Sequence, residues 1–264
     1  MRTSENTHDI TRIINSCIII FTVISVISAV FIFEVVIFPQ FHYSVIQCTF
    51  HYFIHFYLVY SLLYFYFKAV FSTPSVQPEL FNRLFPDYLK ECGDRYCDIC
   101  KANKPLRTHH CNTCKQCIGR YDHHCLLICN CIGDNTMRLF FNTILYFFIG
   151  SLYIIGMLTV LYYKTNFTDF EFITIGCICC LFGIAIAIVI AMGCYLAFYI
   201  FLINDNQTTV EVLAEISNKQ RVLDYNRGLY NNWKEVMLLN LDYPFIVAFL
   251  PIDLSRFVKN NKIY

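Results

Sequence analysis

Four long apolar runs constrain this chain more than any other feature. They cover residues 13–38, 45–71, 139–163 and 172–203, and each exceeds the roughly 20 residues that cross a bilayer as a helix. With 57% hydrophobic and 15% charged residues, the chain has too little charge to cover a surface in water. The sequence therefore predicts an all-α integral membrane protein with four transmembrane helices.

The basic residues predict the orientation of these helices. Of the 20 Lys and Arg residues, two precede the first run, nine lie in residues 72–138 and seven in 204–264. The connections 39–44 and 164–171 carry at most one each. Because Lys and Arg concentrate in cytoplasmic loops, we expect residues 1–12, 72–138 and 204–264 to be cytosolic. The first run is too long for a cleaved signal peptide, so we interpret it as an anchor.

The overall charge excludes one class of partner. A net charge of +1 provides no basic field of the kind that nucleic-acid binding requires. We therefore expect a lipid bilayer and no nucleic acid as a partner. The predicted location is an endomembrane (ER or Golgi) or the plasma membrane, with the functional loop facing the cytosol.

Residues 92–131 contain nine of the fifteen cysteines and four of the eight histidines. Two C-x2-C pairs, Cys97/Cys100 and Cys111/Cys114, have the spacing of zinc knuckles. A disulfide framework is the alternative, but the mixture of Cys and His favours metal. We expect a two-zinc cysteine-rich domain at about residues 95–136, between the second and third helices. We detect no internal repeat in the chain.

Two tetrahedral zinc sites need eight ligands, and each knuckle supplies two of them. Because adjacent side chains diverge, His110 and Cys111 are assigned to different ions, so the two sites interleave. The simplest assignment places one zinc on Cys97, Cys100, His110 and Cys117 and the other on Cys111, Cys114, His124 and Cys131. Sites with all four positions filled by protein are structural. His109 in place of His110 remains an open alternative.

Three polar residues of the loop are left over, namely Asp122, His123 and Cys125. They correspond to an orienting carboxylate, a general base and a nucleophile. His123 can take the proton of Cys125, while Asp122 fixes the imidazole tautomer and stabilises its charge. The alternative is a catalytically inactive membrane scaffold whose zinc loop recruits partners. A RING-type ubiquitin ligase also interleaves two zincs, but it leaves these three residues without a role.

The pattern resembles the DHHC family of protein S-acyltransferases, or palmitoyltransferases. From Cys97 to Asn135 the matching run is C-x2-C-x3-K-P-x-R-x2-H-C-x2-C-x2-C-x4-D-H-H-C-x4-N-C-x-G-x-N. Thr208-Thr209-Val210-Glu211 resembles the T-T-x-E motif of the family. The C-terminal Y-x2-G-x3-N-W element of the family is matched by Tyr225, Gly228, Asn232 and Trp233. The chain departs from the family after Cys125, where Leu126-Leu127 replace the usual Pro-Trp and Cys129 replaces a common Asn.

The resemblance implies transfer of a long-chain fatty acyl group, palmitoyl for example, from acyl-coenzyme A to cysteines of substrate proteins near the membrane. The acyl group would pass through a thioester on Cys125, with two structural zinc ions holding the loop. Thr209 is expected to support Asp122, and Asn232 to tie the tail to the same region. Coenzyme A phosphates need cations, which we assign to Arg95, Lys104, Arg107 and His109.

Overall fold

The computed structural model describes residues 2–74, 95–165, 170–218, 224–238 and 242–254, with side chains from residue 13 onward. Parts of the predicted cytosolic segments lie outside these residues, including most of the linker before the cysteine-rich domain. The chain divides into two compact units. The first comprises residues 1–63 and 143–196, and the second comprises residues 64–142 and 197–264.

Among the described residues, four helices are long and apolar enough to cross a membrane, which confirms the predicted fold class. They are α1 (Arg2–Phe31), α2 (Val45–Phe71), α3 (Met137–Lys164) and α4 (Phe172–Asn204). α1 continues through a π-helical turn, Ile32–Ile37, into a 3-10 turn, Phe38–Phe41. Many Ile and Phe side chains on these helices are exposed, as expected of surfaces that face lipid.

The first unit contains a small polar group among its apolar side chains. Glu34, in the π-helical turn, is paired with His55 of α2. One turn away on the same face of α2, His51 contacts the hydroxyl of Tyr153 on α3 through Nδ1, at 2.9 Å. Polar groups inside a membrane require such partners, so these contacts link α2 to its neighbours.

The second unit contains the cysteine-rich region as three separate antiparallel hairpins. Their strands are β1 (Tyr96–Cys97), β2 (Ala102–Asn103), β3 (His109–Cys111), β4 (Gln116–Ile118), β5 (His123–Cys125) and β6 (Asn130–Ile132). After α4, the chain forms two short helices, α5 (Thr209–Asn218) and α6 (Leu229–Leu238), and a 3-10 turn, Phe245–Phe249. Strands of two or three residues bury little surface, so the hairpins need cross-links of another kind.

Candidate active site

The three hairpins share one local geometry. In each, the strand partners are separated by a turn whose last residue has left-handed φ, at 53° for Lys101, 56° for Lys115 and 51° for Cys129. The second and third hairpins also repeat in sequence, as HHCNTCKQCI (residues 109–118) and HHCLLICNCI (residues 123–132). The conclusion that the chain has no internal repeat was wrong at this scale, because the repeat is only ten residues long.

The first group of ligand atoms joins the first two hairpins. Cys97, Cys100, His110 and Cys117 each offer one atom, and all four atoms lie within 4.8 Å of one another. His110 Nδ1 lies 3.6, 3.3 and 3.8 Å from the sulfurs of Cys97, Cys100 and Cys117. A tetrahedral zinc keeps its sulfur and nitrogen ligands roughly 3.5–3.8 Å apart, so this set fits the ion.

The second group joins the second and third hairpins in the same way. It consists of Cys111, Cys114, His124 and Cys131, again within 4.8 Å. His124 Nδ1 lies 3.8, 3.4 and 3.6 Å from the three sulfurs. The hydrogen bond that Cys131 donates to Cys114, reinforced by burial, raises the pKa of the Cys131 thiol. A bound divalent cation would favour the deprotonated form of every sulfur in this group, because metal ligands bind as thiolates.

The two groups follow one rule of assembly. The knuckle of one hairpin supplies two cysteines, and the next hairpin supplies a histidine and a cysteine that face each other across its strands, His110 with Cys117 and His124 with Cys131. The fourteen described cysteines are all free thiols, so none of them forms a disulfide. Two interleaved zinc sites are therefore compatible with the described residues, and His110 rather than His109 faces the first group.

Asp122 lies at the centre of a buried hydrogen-bond network. Its side chain is 1% exposed. Oδ1 accepts from the backbone N–H of Thr209 at 2.6 Å, and Oδ2 accepts from Thr209 Oγ1 at 3.0 Å and Tyr199 Oη at 2.9 Å. His123 Nδ1 lies 2.8 Å from Oδ2. Burial alone raises the pKa of Asp122, but the hydrogen bonds from His123 and Thr209 outweigh it and hold the pKa below its usual value.

His123 connects this carboxylate with Cys125, the next side chain on its side of strand β5. Burial lowers the pKa of His123, but hydrogen bonds with Asp122 and Cys125 outweigh burial and raise the pKa above its usual value, to about 9. Cys125 is 8% exposed. At neutral pH the imidazole thus carries a proton beside the thiol, and a neighbouring imidazolium favours the thiolate form of a cysteine. The arrangement supplies a nucleophile, a proton carrier and an orienting carboxylate.

The third hairpin is fixed to the end of α2. The Asn130 amide donates to the backbone carbonyls of Ala69 at 2.9 Å and Ser72 at 2.8 Å, which the helix end leaves without intrahelical partners. Tyr66 Oη donates to the carbonyl of Leu127 at 3.2 Å. The turn that follows Cys125 is therefore held against the last turns of a membrane-spanning helix.

Comparison with known proteins identifies the region that this site occupies. Residues 90–216 match the family model of the DHHC palmitoyltransferases. The chain is also 33% identical over 158 residues to the "Probable protein S-acyltransferase 15" of Arabidopsis thaliana, over 56% of this chain and 61% of that protein. The chain thus spans about three fifths of the length of this relative.

Thr209, predicted to support the DHHC site, opens α5 and contacts Asp122 through both its backbone and its hydroxyl. Thr208 is the N-cap of the same helix: its N–H donates to Glu211 Oε2 at 2.8 Å, and its hydroxyl accepts from the Glu211 N–H at 3.4 Å. This reciprocal pair is a capping box, which fixes where α5 starts. The start of the helix determines where Thr209 meets Asp122.

Asn232 of α6 is fully buried. Its Nδ2 donates to the carbonyl of Asn204, at the end of α4, at 2.7 Å, and its Oδ1 accepts from the Arg227 N–H at 2.9 Å. Trp233 adds a second link, because its indole N–H donates to Asn204 Oδ1 at 2.8 Å. The structure thus brings Asn232 to the end of α4, four residues before Thr208, and not to Asp122 itself.

Three of the four residues assigned to coenzyme A lie together. Burial and the nearby charges of Arg95 and Lys104 lower the pKa of His109, which places the three in one electrostatic neighbourhood. Arg107 instead forms an ion pair with Glu211: its Nε and Nη2 donate to the two carboxylate oxygens at 2.7 and 2.8 Å. Its side chain is 10% exposed and stacks on the ring of Tyr225. Its donors are used inside the protein and do not face solvent.

Sequence reasoning missed two aromatic residues of the DHHC site. Tyr199 of α4 is 2% exposed, and its hydroxyl lies near both Asp122 and His123. Phe140 of α3 lies edge-on between the rings of His123 and Tyr199, with centroids 5.5 and 5.3 Å away. Neither residue stands out among the many aromatic residues of these apolar helices. Position along the chain gives no signal for them, since only tertiary packing brings them to the loop.

Proposed function

We propose that the chain is a protein S-acyltransferase that carries a long-chain fatty acyl group, palmitoyl for example, from acyl-coenzyme A to protein cysteines through a thioester on Cys125. The observation that carries the proposal is the hydrogen-bonded line Asp122, His123 and Cys125, in a domain where two other sets of Cys and His have a geometry compatible with metal binding. When bound, the two zinc ions cross-link the hairpins and contribute folding energy.

In the first half-reaction, the Cys125 thiolate attacks the thioester carbonyl of acyl-coenzyme A. The new bond joins Cys125 Sγ to the acyl carbon, and the bond to the coenzyme A sulfur breaks. His123 holds the proton that left Cys125 and delivers it to the departing sulfur. Both the donor and the acyl-enzyme are thioesters, so the exchange is nearly balanced in free energy and needs only a lower barrier.

Asp122 keeps His123 in the orientation that this proton transfer requires. With Nδ1 directed to the carboxylate, Nε2 is left for exchange with Cys125. The contacts of Thr209 and Tyr199 fix the carboxylate in turn. In the second half-reaction, His123 takes the proton of a substrate cysteine, whose sulfur attacks the acyl carbon and releases Cys125. Asp122 stabilises the imidazolium in both directions.

The position of Cys125 suits a substrate that is part lipid and part nucleotide. Leu126, the next residue, is 67% exposed, and the turn is held at the end of α2. A fatty chain gains ~0.8 kcal/mol per buried methylene, so it remains among apolar groups while the coenzyme A head stays in water. The distribution of Lys and Arg supports a cytosolic location for the domain, where acyl-coenzyme A is dissolved.

For the coenzyme A phosphates we propose the charged Arg95 and Lys104, with the neutral imidazole of His109 as a hydrogen-bond donor beside them, and we leave Arg107 out because Glu211 and Asn206 use its donors. Cations with free donors bind phosphate best. Arg95→Glu or Lys104→Glu is expected to raise the acyl-coenzyme A concentration for half-maximal acylation roughly tenfold, with little effect on the rate at saturation. An unchanged concentration dependence would remove these residues from the proposal.

The full-length protein in detergent or nanodiscs, given radiolabelled palmitoyl-coenzyme A, tests the activity directly. We expect label on the chain that hydroxylamine removes, since it cleaves thioesters, and subsequent transfer to a cysteine peptide. Cys125→Ser should take no label. Cys129→Ser, four residues away, is the matched control and should label normally. Label that persists in Cys125→Ser, or that resists hydroxylamine, would contradict the proposal and favour an inactive zinc scaffold.

A further inference from the structure

Asn206 joins α4 to α5 and was not singled out by any sequence motif discussed above. It lies two residues beyond the end of α4 and three before Thr209, in a left-handed conformation with φ 50°. Asn and Gly adopt this conformation at lower cost than other residues. The residue is 1% exposed, so its amide is buried where the chain turns from the membrane helix towards the active site.

The Asn206 side chain uses all of its hydrogen-bonding capacity. Oδ1 accepts from Arg107 Nη1 at 3.0 Å and from Arg120 Nη2 at 2.7 Å. Nδ2 donates to the carbonyl of Tyr225 at 3.0 Å and to Glu235 Oε2 at 3.2 Å. The backbone carbonyl of Asn206 also accepts from Arg107, at 2.8 Å. An amide has two acceptor lone pairs and two donor hydrogens, and all four are engaged here.

The charges around Asn206 explain why a neutral amide is needed. Two guanidinium groups converge on one oxygen, and burial, together with the charge of Arg107, lowers the pKa of Arg120. Glu235 lies close to Arg120, at 3.9 Å, and Glu211 holds Arg107 through two short bonds. A buried charge without partners is costly, so the network is stable only while each group remains paired.

From these contacts we propose that Asn206 is a positioning residue for the acyl transfer, acting through Thr209 on Asp122. It holds Arg107 in place, Arg107 holds Glu211, and Glu211 caps the first turn of α5. That turn presents Thr209 to Asp122 by the 2.6 and 3.0 Å hydrogen bonds. The inference rests on the proposed function, since it assigns a role in the orientation of His123.

Single-turnover acylation of the full-length protein by labelled palmitoyl-coenzyme A tests this role. Asn206→Gly keeps the left-handed backbone and removes only the amide. We expect its rate constant at saturating acyl-coenzyme A to fall about tenfold, with the half-saturating concentration, the final fraction acylated and the zinc content unchanged. Asn231→Ala, which removes an exposed amide from α6, should match the parent. A loss of zinc or of acylated fraction in Asn206→Gly would mean a role in folding and overturn the proposal.

A double substitution decides whether the effect passes through Thr209. Thr209→Val removes the hydroxyl bond to Asp122, and we expect Asn206→Gly/Thr209→Val to be within about twofold of the slower single variant. Independent effects would multiply instead, and that result would also overturn the proposal. If the parent protein takes no label at all, the proposed function itself is wrong. If the parent is labelled but the effects of the two substitutions multiply, only the role of Asn206 through Thr209 is wrong.

Discussion

The second and third hairpins carry nearly the same residues, and we assign them different chemistry. Cys111 and Cys125 open equivalent turns, but the position that holds Cys114 in the second hairpin holds Ile128 in the third. Cys111 therefore has a second knuckle sulfur beside it and joins a metal site. Cys125 has none, so its thiol stays available. By this comparison, the nucleophile that we propose occupies the position of a knuckle cysteine but lacks the other ligands of a metal site.

The two hairpins also differ just before their paired histidines. Thr108 precedes His109, whereas Asp122 precedes His123. Burial and the nearby Arg95 and Lys104 lower the pKa of His109, whereas hydrogen bonds with Asp122 and Cys125 outweigh burial and raise that of His123 to about 9. The aspartate thus helps to separate a histidine that stays neutral from one that holds a proton beside a thiol.

Replacing the equivalent cysteines one at a time should produce the largest contrast. Cys125→Ser is expected to abolish acyl-enzyme formation completely, because a serine hydroxyl beside His123 is a far weaker nucleophile than a thiolate. Zinc should remain at the parent level. Cys111→Ser should lose zinc and folded protein together. Metal analysis and palmitoyl labelling of the same samples measure both effects. Zinc loss in Cys125→Ser would show that Cys125 is a metal ligand after all.

The adjacent histidines of the third hairpin offer a second contrast. His124→Ala removes a ligand and should fail by losing zinc and thermal stability. His123→Ala should keep zinc and stability but slow acylation by roughly 10²–10⁴-fold, the usual contribution of a positioned proton carrier. Thermal unfolding, metal content and labelling rate distinguish the two. Equal losses of zinc in both variants would contradict the division of this pair into a ligand and a base.

How much of this could be read from the sequence depends on whether the relevant contacts are local. Knuckle spacing and the divergence of adjacent side chains predicted the same two groups of four residues that the structure brings together, with only the choice between His109 and His110 left open. The four helices follow from length and apolar content alone. These features depend on residues that are close together in the sequence, so they can be predicted without knowledge of the tertiary structure.

The parts that the sequence did not reveal depend on contacts between distant segments. Tyr199 reaches Asp122 across 77 positions of the chain, and Arg107 reaches Glu211 across 104. Arg107 was assigned to phosphate because a basic residue beside a knuckle looks solvent-exposed, whereas the fold buries it against a carboxylate. A charged residue has many possible ion-pair partners along the sequence, and only the packing of the folded chain determines which of them it meets.

The third test concerns Asp122, the carboxylate that precedes His123 and is replaced by Thr108 before His109. Asp122→Asn preserves the shape of the side chain and an acceptor for Thr209, but it cannot balance the charge of a protonated His123. We expect acylation to slow by roughly 10²-fold with zinc unchanged. Thr108→Val, which alters the equivalent position of the second hairpin, is the matched control and should change the rate less than about twofold. Equal effects would mean that Asp122 acts only through packing.

The smallest effect should come from restoring the missing knuckle cysteine. Ile128 is fully buried, so Ile128→Cys leaves a small gap and gives Cys125 a second sulfur at the spacing found in both metal groups. Because His123 lies beside Cys125, the new pair gains a third donor for zinc. We expect added zinc to inhibit acylation about tenfold in this variant, with recovery after mild chelation, and to leave Ile128→Val at parent activity. If zinc has the same effect on both variants, the absence of a second cysteine is not what keeps Cys125 free. The nucleophile would then be protected by its contacts with His123 and Asp122 instead.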